Sequence, residues 1–255
     1  MSLRNLAQRP VLRAVAVVGA LLLVPVVSQA GGPNTVPGSA NPFLAGMPGG
    51  STCCSGDAAP AQSPVFAALI ATPGLSFTFS VTGSVDHTGA TPTLSPDGSG
   101  LFSTPSNNGI AGANWPIDAL VGVFLDASQP DSSAAPSPLD FTSTSFTTLS
   151  PGLKQAFFIG DGLTGTGSGT VQTFVAPAGA TRLFLGSSDG FGWFNNSGSF
   201  LVSVGLGGPA PTPTPTVPAP TPTGPAAAVP TLSFPMIALL GIVLAGASLL
   251  LIRRM

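Results

Sequence analysis

The chain has 255 residues, 44% of them hydrophobic and only 6% charged, with a formal net charge of −2, sixteen phenylalanines and no tyrosine. Its acids are nine aspartates with no glutamate, and of the seven basic residues only Lys154 and Arg182 lie away from the two ends. The central region therefore lacks the basic face that a nucleic acid requires, and an anionic membrane surface is excluded as a partner on the same ground.

In chain order, Arg4, Arg9 and Arg13 precede an apolar run from Ala14 to Val27 and the small-residue set Ser28-Gln29-Ala30. This predicts a secretory signal peptide over 1–30, cleaved after Ala30. Residues 31–206 are long enough for one domain with its own core. Near its start, Cys53 and Cys54 are adjacent in Gly-Ser-Thr-Cys-Cys-Ser-Gly. A bridge between neighbours strains the intervening peptide, so the expectation is an intermolecular disulfide or two free thiols in a loop. Two thiols and one distant histidine do not make a zinc site.

The first clear strand follows. Leu75, Phe77, Phe79 and Val81 alternate with Ser76, Thr78, Ser80 and Thr82, the period of a half-buried strand. Two loops come next, Asp86-His87 through Pro96-Asp97-Gly98 and Asn107-Asn108-Gly109, both candidates for meeting other loops at one end of a sandwich. Ala119 to Leu125 is a continuous apolar run, expected of a central strand covered on both faces. Gly160 to Gly167 is glycine-rich but is followed by neither a lysine nor a helix, so it reads as a hairpin loop and not as a phosphate cradle. Further strands are predicted at Gln155–Ile159, Val171–Ala176, Arg182–Leu185 and Ser199–Val204. Each is bounded by turn residues, and no stretch carries helical periodicity. The sum predicts an all-β fold, an antiparallel sandwich or barrel.

Between the last two of these strands lies Asp189-Gly-Phe-Gly-Trp-Phe-Asn-Asn-Ser-Gly-Ser-Phe200. Asp189, Asn195 and Asn196 bring a carboxylate and two amide oxygens to one loop, the donors that a hard cation such as Ca2+ takes. Gly190 and Gly192 allow the backbone to bend so that carbonyls, those of Gly190 or Trp193 for example, join them. The competing reading makes Asp189-Gly190 and Asn196-Ser197-Gly198 turn formers and Trp193 a core residue. An enzyme is not expected. His87 is the only histidine, read as a structural or solvent-exposed residue at a strand end, and the aspartates stand mostly beside glycine or in loops.

After the domain, residues 207–230 form a Pro/Thr-rich linker whose polyproline geometry spans up to roughly 70 Å. The unmodified stalk is favoured over one carrying O-linked sugar. Residues 231–255 end in an uncharged stretch, Phe234 to Ile252, followed by Arg253-Arg254. As a helix this stretch rises roughly 28 Å, one hydrocarbon core, with the arginines on the cytoplasmic side.

The string DGFGWFNNSGSFLVSV resembles the C-terminal calcium and galactose loop of the bacterial PA-I galactophilic lectins, in which an aspartate precedes N-N-S-G-S-F and a last strand. The interval from Asp189 to the asparagine pair is one residue shorter here. The resemblance implies a galactose-binding-like jelly roll, with Asp189, Asn195 and Asn196 as calcium ligands assisted by nearby carbonyls, and a carbohydrate whose hydroxyls complete the ion's shell. On that reading Trp193 or Phe191 would offer an apolar face to the sugar ring. Independently of the resemblance, Asp86, His87 and Asp97, on the loop that could meet this one, are candidates for further ligand contacts. The segments LAGMPGGS, APAQSPV, FFIGDGL and PAGATRLFLG are similar to exported bacterial proteins with PEP-CTERM sorting signals. Val229-Pro-Thr-Leu-Ser233 before the apolar stretch resembles the IPTL type. The expectation is an exported, surface-anchored, non-enzymatic lectin-like protein, with a sorting protease as a further partner. Its alternative is a structural cell-surface or biofilm-matrix protein whose fold calcium stabilises.

Overall fold

The computed structural model describes residues 33–70 and 74–209. The predicted signal peptide, the linker beyond Pro209 and the C-terminal apolar stretch lie outside the described residues. Among the described residues no helix is long and apolar enough to cross a membrane.

Among the described residues there are fifteen strands: β1 (Asn34–Pro37), β2 (Thr52–Cys53), β3 (Asp57–Ala58), β4 (Val65–Leu69), β5 (Leu75–Asp86), β6 (Asp97–Thr104), β7 (Ala113–Leu125), β8 (Leu139–Asp140), β9 (Thr148–Leu149), β10 (Ala156–Phe158), β11 (Leu163–Gly165), β12 (Ser168–Val171), β13 (Thr173–Val175), β14 (Arg182–Ser187) and β15 (Ser197–Pro209). One sheet has the order β1-β15-β5-β13-β9. A second runs β10-β7-β14-β4, with β6 and β8 also paired to β7. The all-β expectation is met. The pairing is antiparallel except at β13 with β9 and β7 with β8. The glycine-rich 160–167 segment leads into the β11–β12 hairpin, as its composition predicts.

The alternation in β5 buries Phe77, Phe79 and Val81 while Ser80 and Thr82 stay exposed. Across the gap, Phe124 of β7 lies 5.8 Å from Phe77 and stacks on Phe157 of β10 at 5.0 Å; Phe157 in turn meets Phe174 of β13 at 5.8 Å. These rings, drawn from both sheets, make the layers one sandwich-like core. Each fully buried phenylalanine contributes about 1.5–3 kcal/mol relative to exposure. The apolar run of β7 is covered on its other side as well, where the segment leading through Pro42–Leu44 packs. Gly83 is required where it stands: its φ is +95° and a Cβ there would lie 2.3 Å from the Ser199 carbonyl of β15.

Two expectations are corrected. β15 continues through Gly207 to Pro209, three residues into the predicted linker, because its pairing with β5 extends to Leu75. Cys53 and Cys54 are disulfide-bonded to each other, not free or intermolecular. They sit on the tight reversal between β2 and β3, where Cys54 (φ 53°) and Ser55 (φ 71°) take left-handed backbone conformations before Gly56. That turn brings neighbouring side chains together in a way an extended loop would not.

Candidate functional site

Sheet register decides which loops meet. Asp86, the last residue of β5, pairs with Ser197, the first of β15, so His87 emerges beside the Asp189–Asn196 connection. On the other sheet Ser187 pairs with Leu120, which sets Asp189 alongside Asp118 just beyond the end of the ladder. Ser188 laces the two strands: its N–H donates to Ala119 O at 2.8 Å, its carbonyl accepts from Asp118 N at 3.1 Å, and its hydroxyl accepts from Ala119 N at 2.7 Å.

The result is an open cleft of about 440 Å³ lined by His87, Thr88, Phe102, Ile117, Asp189, Gly190, Phe191 and Asn195. Phe191 is 67% exposed, and Phe102 packs so close over Gly190 that a Cβ there would lie 2.4 Å from the ring. The cleft thus combines an aromatic rim with four polar side chains, His87, Thr88, Asp189 and Asn195, on its wall.

Asp189 is 4% exposed. Its Oδ1 accepts from Gly190 N at 2.6 Å, whereas Oδ2 is buried without a hydrogen-bond partner. Its main-chain carbonyl accepts from Thr104 Oγ1 at 2.7 Å, and that hydroxyl accepts from Trp115 Nε1 at 3.0 Å, so buried groups pin the residue from behind. Burial pushes the Asp189 carboxyl above the usual range, against the opposing pull of the Asn196 amide, the Gly190 and Phe191 N–H groups and His87. Asn196 donates to Gly38 O at 3.1 Å and leaves its own Oδ1 buried and unpartnered. Asn195 is exposed on the cleft wall. Two of the three predicted oxygen donors therefore hold buried oxygens that nothing satisfies, and the third faces solvent. Among the described residues no three His, Cys, Asp or Glu side chains converge on one point.

Other predicted site residues are placed differently. Trp193 is fully buried, its Nε1 donates to Ser187 O at 2.9 Å, and its ring meets Phe43 edge-on at 5.8 Å. It offers no face to a ligand, whereas Phe191 is exposed at the cleft. Asp86 does not line the cleft. Its Oδ1 closes a turn by accepting from Thr88 N, Thr88 Oγ1 and Ala90 N at 2.8, 2.6 and 3.0 Å, bonds that hold its carboxyl below the ordinary range. Asp97 opens β6 and accepts from Asp161 N at 2.9 Å, also away from the cleft. Of the Asn107-Asn108-Gly109 loop, Asn108 braces the cysteine turn by donating to Phe43 O at 3.1 Å and Thr52 O at 3.3 Å, and does not reach the cleft.

His87 does line it, in company not foreseen from the sequence. Its Nδ1 donates to Asp118 Oδ2 at 2.8 Å. Asp118 is 1% exposed, has a left-handed backbone (φ 65°), and leaves Oδ1 unpartnered. Burial draws the His87 pKa down. The hydrogen bond and charge of Asp118, with the charges of Asp189 and Asp86, outweigh it and set the net shift upward. A histidine with a raised folded-state pKa contributes stability that is complete below its unfolded value and is lost as pH rises through the folded one. Thermal melts are accordingly expected to fall between pH 6 and pH 8, and His87→Gln to flatten that slope. An unchanged slope in the variant would show that the pair does not carry it.

No protein-family model matches the chain, and no curated protein or solved structure matches it either. The chemistry of the cleft therefore rests on its own residues.

Proposed function

We propose that this chain is an exported, surface-anchored protein whose galactose-binding-like sandwich takes Ca2+ at the Asp189–Asn196 loop and, with it, a carbohydrate in the adjoining cleft. The observation that carries the reading is the pair of buried, unpartnered oxygens, Asp189 Oδ2 and Asn196 Oδ1, on two residues that sequence resemblance assigns to a cation. A buried acceptor left without a partner costs about 1–3 kcal/mol, more when charged. Such groups persist where something else satisfies them.

In this reading Asp189 supplies the charge, Asn196 an amide oxygen, and Asn195 an exposed amide that a hydroxyl-bearing ligand reaches. Bound calcium would supply a positive centre whose remaining positions accept ligand hydroxyls. Phe191 and Phe102 give the apolar face of a sugar ring a surface to lie on, and His87 adds a polar group to the same lining. The chain's own contribution is placement: the Trp115–Thr104 relay holds the Asp189 backbone, and Ser188 holds both strands in register.

The test uses the full-length protein, freed of metal by chelation and titrated with calcium. The melting temperature is expected to rise with calcium concentration, since a ligand at about 100 times its dissociation constant adds about 2.7 kcal/mol. A glycan array run with calcium and with chelator is expected to show binding only in the first. A melt indifferent to calcium overturns the metal site. A calcium-shifted melt without any glycan signal favours the alternative, in which calcium only stabilises a structural protein of the cell surface or matrix.

A further inference from the structure

We propose that the Cys53–Cys54 disulfide is a reversible redox modification site whose state sets the order of the candidate binding loop; its effect on calcium, though not its effect on the loop, rests on the function proposed above. The bond lies on the β2–β3 turn, and that turn is the bracket holding residues 192–194. Cys54 O accepts from Gly192 N at 3.0 Å. Three residues on, the buried Asp57 accepts from Trp193 N at 3.1 Å and from Phe194 N at 2.7 Å. Asn41 Nδ2 fixes that carboxylate from the other side at 3.1 Å. The Phe194 ring lies 3.5 Å from where a Cβ of Gly56 would stand. Three consecutive N–H groups of the loop thus hang on a six-residue segment, Thr52 to Asp57, that contains the disulfide.

The two ends of the segment differ in what holds them. Asp57 is anchored by side-chain bonds and by β3. Cys54 and Ser55 are non-glycine residues held at φ 53° and 71°, a region that L-residues leave when released. Cys53 is buried and Cys54 is partly exposed, so Cys54 is the half of the pair on the solvent side. A small dithiol is the reductant. Its thiolate attacks Cys54 Sγ and forms a mixed disulfide, and the Cys53 thiolate leaves and takes a proton. The reagent's second thiolate then attacks its own sulfur in that mixed disulfide, closing a cyclic disulfide and releasing the Cys54 thiolate, which is protonated in turn. Two electrons pass from dithiol to protein, one disulfide is exchanged for another, and the protein gains two thiols. With the covalent tie gone, Cys54 and Ser55 relax toward the right-handed region and the Cys54 carbonyl swings off Gly192 N–H. Asp57 retains the next two amides, so the loop loosens at its Gly190–Gly192 end, next to Asp189.

The experiment compares full-length protein before and after dithiothreitol, with alkylation and mass measurement counting the thiols. Amide hydrogen exchange at Gly192 is expected to quicken at least tenfold on reduction while Val81 and Val202 in the β5–β15 pair stay protected, and calcium affinity is expected to fall about tenfold. The Cys53→Ser/Cys54→Ser variant should match the reduced protein and ignore dithiothreitol, which separates the disulfide from other effects of the reagent. Two thiols with unchanged exchange at Gly192 would overturn the proposal, as would thiols that appear only when the whole domain unfolds. If Gly192 responds but calcium binds neither form, the redox site stands and the calcium reading falls. Equal calcium binding by both forms with unchanged exchange leaves the calcium reading and removes the switch.

Discussion

Asp57→Ala is expected to lower the melting temperature by roughly 10 °C. The carboxylate is buried and receives hydrogen bonds from Asn41 Nδ2, Trp193 N and Phe194 N. Alanine leaves all three donors without an acceptor, two of them on the main chain, at about 1–3 kcal/mol for each group that water cannot reach. A total near 3–4 kcal/mol shifts a domain of this size by about 2–4 °C per kcal/mol. Burial pushes the Asp57 carboxyl upward while these same bonds pull against it, which marks the residue as one kept for its bonds despite a desolvation cost. Asp57→Asn retains the shape and one acceptor oxygen and should lose about half as much. A melt within 2 °C of wild type for the alanine variant, measured by circular dichroism or calorimetry, would show the roughly three-bond bracket to be dispensable.

Asp189→Asn is expected to act with opposite signs in the two metal states. Without calcium the wild type buries a carboxylate whose Oδ2 has no partner, so neutralising it at constant volume should raise stability by about 1–3 kcal/mol. Gly190 N keeps an oxygen to donate to. With calcium the order reverses, because the variant has lost the charge that draws the ion and its melt should no longer respond. Paired melts of wild type and variant, each with chelator and with excess calcium, give the crossing directly. A variant that is less stable without calcium and still shifts with it would place the ion elsewhere or nowhere.

Much of the framework is legible in the residues. The strict alternation of β5 and the unbroken apolar run of β7 each report a local burial pattern, and both strands form where those patterns lie. β6 is silent in sequence because Asp97–Thr104 is mostly exposed and contains Gly98 and Gly100, so no face is apolar enough to show a period. Strands of two residues, such as β8 and β9, exist only through partners far along the chain. The site divides in the same way. Asp189 and Asn196 stand in one short string that can be read directly. The loop string leaves Trp193 open as a ligand-facing aromatic or a core residue, and Phe43 and Asp57, about 150 and 136 residues away in sequence, decide for the core. Asp118 is hidden at the head of an apolar run, and its pairing with His87 depends on two strands from different sheets. The disulfide escaped because ring strain counts against a bond between adjacent cysteines, and the positive φ of Cys54 and Ser55 on the β2–β3 turn leaves no mark in the sequence.

The position of β15 bears on how the chain reaches this state. It lies between β1 and β5, joining Val36 to Phe200 on one side and Val81 to Val202 on the other. Its partners are thus made more than a hundred residues earlier than it is, and neither has another neighbour on that edge. Closing so wide a separation is entropically slow, and topologies dominated by such contacts fold late. Until Ser197–Pro209 has been synthesised, β5 must leave one edge open beside Phe77, Phe79 and Val81. A growing chain of this sequence therefore keeps the facing edges of β1 and β5 open to chaperones until β15 has been made, even where β13 already covers the other edge of β5.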